Sequence, residues 1–249
     1  MGEPRETVEN DEPGLVRIQR AALRLFAERG FDATGIRDIT QAARVNVSVV
    51  YHHFPSKEAI LATLMESGLR RYNRMIEAAL RLASLPEERL FALAAVHVMI
   101  HVHDRPLATI MDHELGVLQP EWRLRVLELR DTIDAQWNAV LHEGMASDVF
   151  DVANAKMARL ALIRTCTSVV HWYRSEGPWT VEELAGAIGD LVLGAVRARR
   201  EGSPIRAFDL SQPSLAVLHA NVQSALTEVD WVLPVQDRPA RPAVRPRGS

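Results

Sequence analysis

The chain has 249 residues, 47% of them apolar and 24% charged, with a formal net charge of −3. That is enough apolar mass for one large helical domain plus a small one. The lone cysteine, Cys166, excludes an internal disulfide and fits a reducing compartment, and no apolar run approaches the length of a bilayer span. Lys and Arg against Asp and Glu number 1 against 5 over residues 1–13, 10 against 5 over 14–75, 13 against 17 over 76–200, and 5 against 5 over 201–249. Only residues 14–75 are basic, so a polyanion is drawn to that segment and repelled by the rest.

The opening MGEPRETVENDEPG is acidic and lacks an apolar core, so it reads as neither secretion signal nor anchor, and residues 1–13 are expected to be disordered. Helical periodicity then dominates. A first helix is expected over Leu15 to Arg29, with Ile18, Ala21, Ala22, Leu25 and Phe26 on one stripe and Gly30 as its stop. Thr34 can cap a second, in which Ile36, Ile39, Ala42 and Ala43 share a face. Arg44-Val45-Asn46 breaks the pattern, Asn46 caps a short helix from Val47 to about His53, and Pro55 closes it. Ser56 caps a long helix striped by Ile60, Leu61, Leu64, Met65 and Leu69, which first covers the small domain and then enters the larger one.

A two-turn helix cannot stand alone, so Val47 to His53 must be held out by its neighbours, which is how a reading head is presented to a DNA groove. Positions at its start face base edges, making Val47, Ser48 and Val49 the candidates, with the valines limited to apolar contact such as a thymine methyl. Val50 and Phe54 read as core.

The stretch IQRAALRLFAERGFDATGIRDITQAARVNVSVVYHHFPSKEAILATL, Ile18 to Leu64, resembles the DNA-binding domain of the TetR family of bacterial transcriptional repressors. The likeness includes AALRLFAERGF, the apolar Ile39, Val45 and Val50, and the closing YHHFPSKE. The resemblance implies phosphate-backbone contacts from Tyr51, His52 and Lys57, with Arg37 approaching the duplex from the preceding helix. It also implies a homodimer on a palindromic operator. Two departures stand out: Arg44 occupies a turn position where glycine is usual, and Val47 and Ser48 replace a basic residue and a glycine, leaving fewer polar base contacts.

From residue 76 to 200, breakers at Ser84-Leu85-Pro86, Asp104-Arg105-Pro106, Gln119-Pro120, Ser147-Asp148 and Gly177-Pro178 divide the chain into five helices after the long one. Thr180-Val181-Glu182-Glu183 is a capping box. Val152 to Ser175 and Val181 to Val196 are apolar over much of their circumference, which calls for a second burial face, most simply a twin subunit. Val96 to Leu118, QPEWRLRVLELR and VVHWYRSEGPWTVEELAGAIGDLVLGAVR resemble a TetR subgroup regulating fatty acid and sterol catabolism, several of which sense acyl-coenzyme A esters. An effector site is therefore expected around His97, His101, Arg105, Met111, Trp137, Arg164 and Cys166, with Arg123 and Arg125 as further partners for an anionic head.

His97 and His101, four apart and followed by His103 and His113, make a metal site geometrically conceivable, yet no helix carries the Glu-x-x-His pair of a carboxylate-bridged bundle. They are read as interior or pocket histidines, with no metal and no cofactor expected. Glycine-rich phosphate loops and nucleophile elbows are absent from the sequence, so no enzyme is expected.

The expected architecture is all-α: residues 1–13 disordered, 14–74 a three-helix DNA-binding domain with its helix-turn-helix at about 35–54, 75–200 an effector-binding and dimerisation bundle, and 201–249 an extension with a helix over Ser214 to Val229 and a Pro- and Arg-rich tail. The expected protein is a cytoplasmic, nucleoid-associated regulator without a membrane partner, in which effector binding shifts the long helix and respaces two reading heads. The rival is a helical small-molecule- or metal-binding protein whose basic segment is incidental.

Overall fold

In a computed structural model the described residues are 13–211 and 213–227. The acidic segment 1–12 and the tail from 228 onward lie outside them, as do the expectations attached to both. Three short helices open the chain: α1 (Gly14–Arg29), α2 (Ile36–Ala43) and α3 (Val47–His53). The long α4 (Lys57–Leu80) follows, capped by Ser56, whose hydroxyl accepts from the Ala59 N–H at 3.2 Å. Then come α5 (Pro86–His103), α6 (Arg105–His113), α7 (Pro120–Ala146), α8 (Ala155–Thr167), α9 (Val169–Trp172), α10 (Val181–Ala195) and α11 (Leu215–Thr227). Two-residue strands, β1 (Arg199–Arg200) and β2 (Ser203–Pro204), pair antiparallel before α11.

α5 is the axis of the larger body. Its run Leu90 to Ile100 is buried throughout, because α4, α7, α8, α10 and α11 pack around it. Close approach is built in by glycines: a Cβ at Gly189 of α10 would lie 2.5 Å from the Phe91 ring of α5, and one at Gly68 of α4 would collide with the Leu107 side chain of α6. Arg71 of α4 and Asp104, between α5 and α6, form a buried ion pair. Burial pushes the Asp104 carboxyl up from its ordinary range against the pull of Arg71. A pair this dry fixes where α4 lies on the α5–α6 corner, since parting the charges would strand both.

Local expectations differ from the structure at three places. Thr34 does not cap α2: the N-cap is Gly35, and the Thr34 hydroxyl is buried, donating to the carbonyls of Gly30 at 2.8 Å and Leu25 at 3.3 Å. Asn46 is the N-cap of α3 by position, but its side chain makes no capping hydrogen bond. The helix expected across Val152 to Ser175 is broken at Ser168 into α8 and α9, and the chain is extended from Tyr173. The break carries neither Pro nor Gly; it is held by tertiary bonds, the Arg105 guanidinium donating to the carbonyls of Val170 and Tyr173 at 2.6 and 3.1 Å.

Candidate nucleic-acid interface and effector cavity

α3 is anchored by what it buries and functional by what it leaves out. Val50 and the following Phe54 are in the core with Ile18, Leu25 and Ile39, which fixes the roll of the helix. The opposite side then faces solvent: Val47 is 42% and Tyr51 49% exposed, Ser48 and His52 are exposed, and Val49 is partly covered. Arg37 is exposed on α2. Six of the seven residues expected to touch DNA therefore share the outer surface of α2 and α3.

Lys57 has a further, structural role. Its ammonium donates to the Phe31 carbonyl at 2.7 Å and the Thr34 carbonyl at 2.8 Å and sits 4.0 Å from the centroid of the Phe31 ring. Two of its three donors thus tie the start of α4 to the α1–α2 loop, and only one remains for a phosphate. Arg44 is the residue the sequence undervalued. It takes the left-handed conformation at φ 51°, ψ 48°, accepting the strain that a glycine would avoid, and its exposed side chain joins Arg17, Gln41 and Asn46 around a shallow, polar concavity beside α3. A cation projecting from the turn of a helix-turn-helix is placed for a phosphate.

A cavity of about 320 Å³ lies between α4, α5, α6, α7 and α8, within the size range of small-molecule sites. Leu69, Ala108, Met111, Leu127, Ile133 and Ile163 supply apolar wall, and Tyr72, His97 and His101 supply polar atoms. Burial, and then the neighbouring His101, push His97 down to about 3. Burial also lowers His101, so both rings are neutral near pH 7 and the interior carries no positive charge from them. Each ring's Nδ1 is tied to a carbonyl one turn back, His97 to Leu93 at 3.3 Å and His101 to His97 at 2.8 Å. Charge is confined to the edge, where Arg130, which donates to the Met111 carbonyl at 3.2 Å, and Arg164, 3.7 Å from Asp112, lie among the carboxylates of Asp112, Asp131 and Asp134, the last paired with Arg159.

Of the expected effector residues, His97, His101, Met111 and Arg164 line this cavity. Three do not. Arg105 is spent on the α9 carbonyls. Trp137 is fully buried behind His97, its ring edge-on at 5.3 Å, and Cys166 is fully buried with its thiol raised by desolvation, which leaves it unreactive packing. Tyr72, Asp112 and Arg130 are wall residues the sequence did not single out. Among the described residues no group of three or more His, Cys, Asp or Glu is arranged to hold a metal ion, and no helix is long and apolar enough to cross a membrane.

A helix-turn-helix joined by one long helix to a cavity-bearing bundle defines a ligand-responsive DNA-binding regulator. The comparisons agree: residues 18–64 match the family described as bacterial regulatory proteins, tetR family, and residues 83–196 match the tetracyclin repressor-like C-terminal domain. The chain is 30% identical to the HTH-type transcriptional repressor KstR2 of Mycobacterium tuberculosis over 181 residues, 70% of this chain and 88% of that protein. The structure of ketosteroid transcriptional regulator KstR2 of that organism is matched with a TM-score of 0.67 at 25% identity, over 79% of this chain and 98% of that one. The structure of AibR in complex with isovaleryl coenzyme A and operator DNA shares the fold, with a TM-score of 0.67 at 19% identity, over 72% of this chain and 97% of that one. The chain belongs to the TetR family of transcriptional regulators.

Proposed function

We propose that this regulator is a repressor that binds a palindromic operator as a homodimer and is released by an acyl thioester or related lipid-derived effector. The observation that carries the DNA reading is the roll of α3, which buries Val50 and turns Val47, Ser48, Tyr51 and His52 outward. Val47, Ser48 and Val49 read base edges; Arg37, Arg44, Tyr51 and His52 hold phosphates, with Lys57 contributing its remaining donor. Dimerisation uses α8 and α10, where Met157 and Leu160, and Ala187, Leu191 and Ala195, leave exposed apolar rows at helical spacing. No catalytic step is assigned, and the protein works at the chromosome in the cytoplasm.

The effector reading rests on a largely apolar cavity with neutral His97 and His101 inside, which suits an acyl chain, and on Arg130 and Arg164 at an edge they share with Asp112, Asp131 and Asp134, where an anionic head must be met by the two guanidiniums. KstR2 is a repressor, which supports repression, and AibR, a protein of the same fold, has bound isovaleryl coenzyme A, which supports the class of ligand. The test is a salt titration of binding to palindromes flanking the coding region, followed by addition of acyl-coenzyme A esters of increasing chain length. Salt-sensitive binding reversed by a subset of esters is the expected result. Binding that no thioester or sterol-derived acid reverses removes the effector and leaves the operator.

A further inference from the structure

The family match ends at residue 196, so α11 is an addition beyond the shared C-terminal domain. It lies across α4, α5 and α10, burying Leu218 and Val222 beside a groove of about 150 Å³ whose other walls are Met75 and Ala79 of α4 and Val96 of α5. The half of α4 that enters the larger body is thereby covered by a segment arriving from the far end of the chain.

The polar side of this contact is a proton relay through three elements. His219 of α11 and His103 of α5 stack with ring centroids 4.8 Å apart, and their Nε2 atoms are 2.6 Å apart. The Nδ1 of His219 is hydrogen-bonded to the Glu182 carboxylate of α10. In the neutral arrangement His219 donates from Nδ1 to Glu182 and accepts at Nε2 from His103. One added proton is tolerated, because an imidazolium at His219 still pairs with Glu182 once His103 turns its Nε2 into an acceptor. A second proton sets two N–H groups against each other at that distance, and the contact must open.

We propose that α11 is a strap over the α4 lever and that the cluster of His103, His219 and Glu182 is its clasp, which opens on acidification. Among the described residues the charged groups around the clasp are few. Glu182 faces it from α10; from α4, Arg71 and Arg74 face the neighbouring groove, Arg71 in its ion pair with Asp104; α11 has no titratable residue besides His219 between Leu215 and Thr227. Burial, then His219, hold His103 below its ordinary value, whereas an undocked strap returns His103 to about 6.5. The undocked form then binds more protons, so docking is complete above about pH 6.5 and is lost as pH falls below it, by at most about tenfold per pH unit for each proton taken up.

Amide hydrogen exchange of residues 215–227 in the intact chain without DNA, from pH 7.5 to 5.5 and corrected for intrinsic rates, reads the strap directly. Protection in the wild type is expected to fall toward tenfold per unit below about pH 6.5. His103→Gln leaves His219 with Glu182 and removes the conflict, so protection no longer falls with acid; in His219→Gln the burial of His103 remains, so the fall persists but is shallower than in the wild type. Flat protection in the wild type, variants that follow the wild type, or variants unprotected at every pH overturn the switch. The consequence for DNA rests on the function proposed above: operator affinity should fall more steeply with acid in the wild type than in His103→Gln, a comparison in which effects at the DNA surface itself are common to both proteins. Because exchange needs no DNA, failure of the strap and failure of the operator reading are separate results.

Discussion

Replacing Lys57 by Met separates two roles that the same position can play. As a clamp, the ammonium supplies two charge-assisted hydrogen bonds, to the carbonyls of Phe31 and Thr34, and a cation–π contact with the Phe31 ring. Charged hydrogen bonds contribute about 1.5–3 kcal/mol each and an exposed cation–π contact about 0.5–1 kcal/mol. Lys57 is half-buried and the orphaned carbonyls can be rehydrated, so the net loss is set at about 2–3 kcal/mol, not the sum of the upper values. At roughly 2–4 °C per kcal/mol for a chain of this size, the melting temperature should drop by about 4–12 °C. Amides of the α1–α2 loop should lose protection first. As a phosphate contact, by contrast, its loss would leave the melt unchanged and reduce the slope of log affinity against log salt by about 0.9. An unchanged melt with that reduced slope refutes the clamp.

Arg44→Gly should relieve the left-handed backbone at φ 51° and stabilise the protein by about 1 kcal/mol in a thermal melt, while weakening operator binding and lowering its salt slope by about 0.9. Ala108→Trp should occupy the 320 Å³ cavity from the α6 wall and abolish effector binding, read by titrating effector into the DNA-free protein. His97, lowered to about 3 by burial, contributes stability that is complete above about pH 6.5 and is lost as pH falls from there toward 3, since the unfolded chain takes up a proton the native state refuses. His97→Phe should therefore flatten the fall in denaturant midpoint between pH 6.5 and 4. Glu114→Gln weakens a charged acceptor to a neutral one at the Phe31 N–H; about 1 kcal/mol of coupling should be lost, seen as a roughly fivefold higher effector concentration for half-release at unchanged effector affinity.

What the sequence could say about this fold follows the range of the forces involved. α3 from Val47 to His53, the stop of α1 at Gly30 and the Thr180 and Glu183 capping box rest on neighbours within four residues, so each was legible from spacing alone. Partners far along the chain were not. Lys57 and Arg105 look like free cations in the sequence, yet one reaches back 26 residues to Phe31 and the other forward 65 to Val170. The same is true of the break at Ser168, which no Pro or Gly announces. In the cavity, His97 and His101 were legible because histidines in an apolar run are conspicuous, whereas Tyr72, Asp112 and Arg130 become wall residues only when α4, α6 and α7 converge.

On the function proposed above, that convergence is the route from an occupied cavity to the reading head. α6 lines the cavity with Ala108, Met111 and Asp112, and one turn later Glu114 accepts the Phe31 N–H at 3.0 Å. α4 lines it with Leu69 and Tyr72, and its first residue, Lys57, holds the carbonyls of Phe31 and Thr34. Two helices that share the cavity thus grip the same short loop, Gly30 to Thr34, one through an N–H and the other through carbonyls. The Leu107 side chain packed into the notch at Gly68 couples the two helices, so neither can shift without the other. The loop leads directly into α2, and α3 packs on α1 and α2, so on the proposed mechanism a displacement of α6 and α4 should carry the small domain with it. An effector that fits the cavity only when α6 moves outward therefore has a differential affinity for the two positions, and that difference is the free energy available to change the spacing of the paired reading heads.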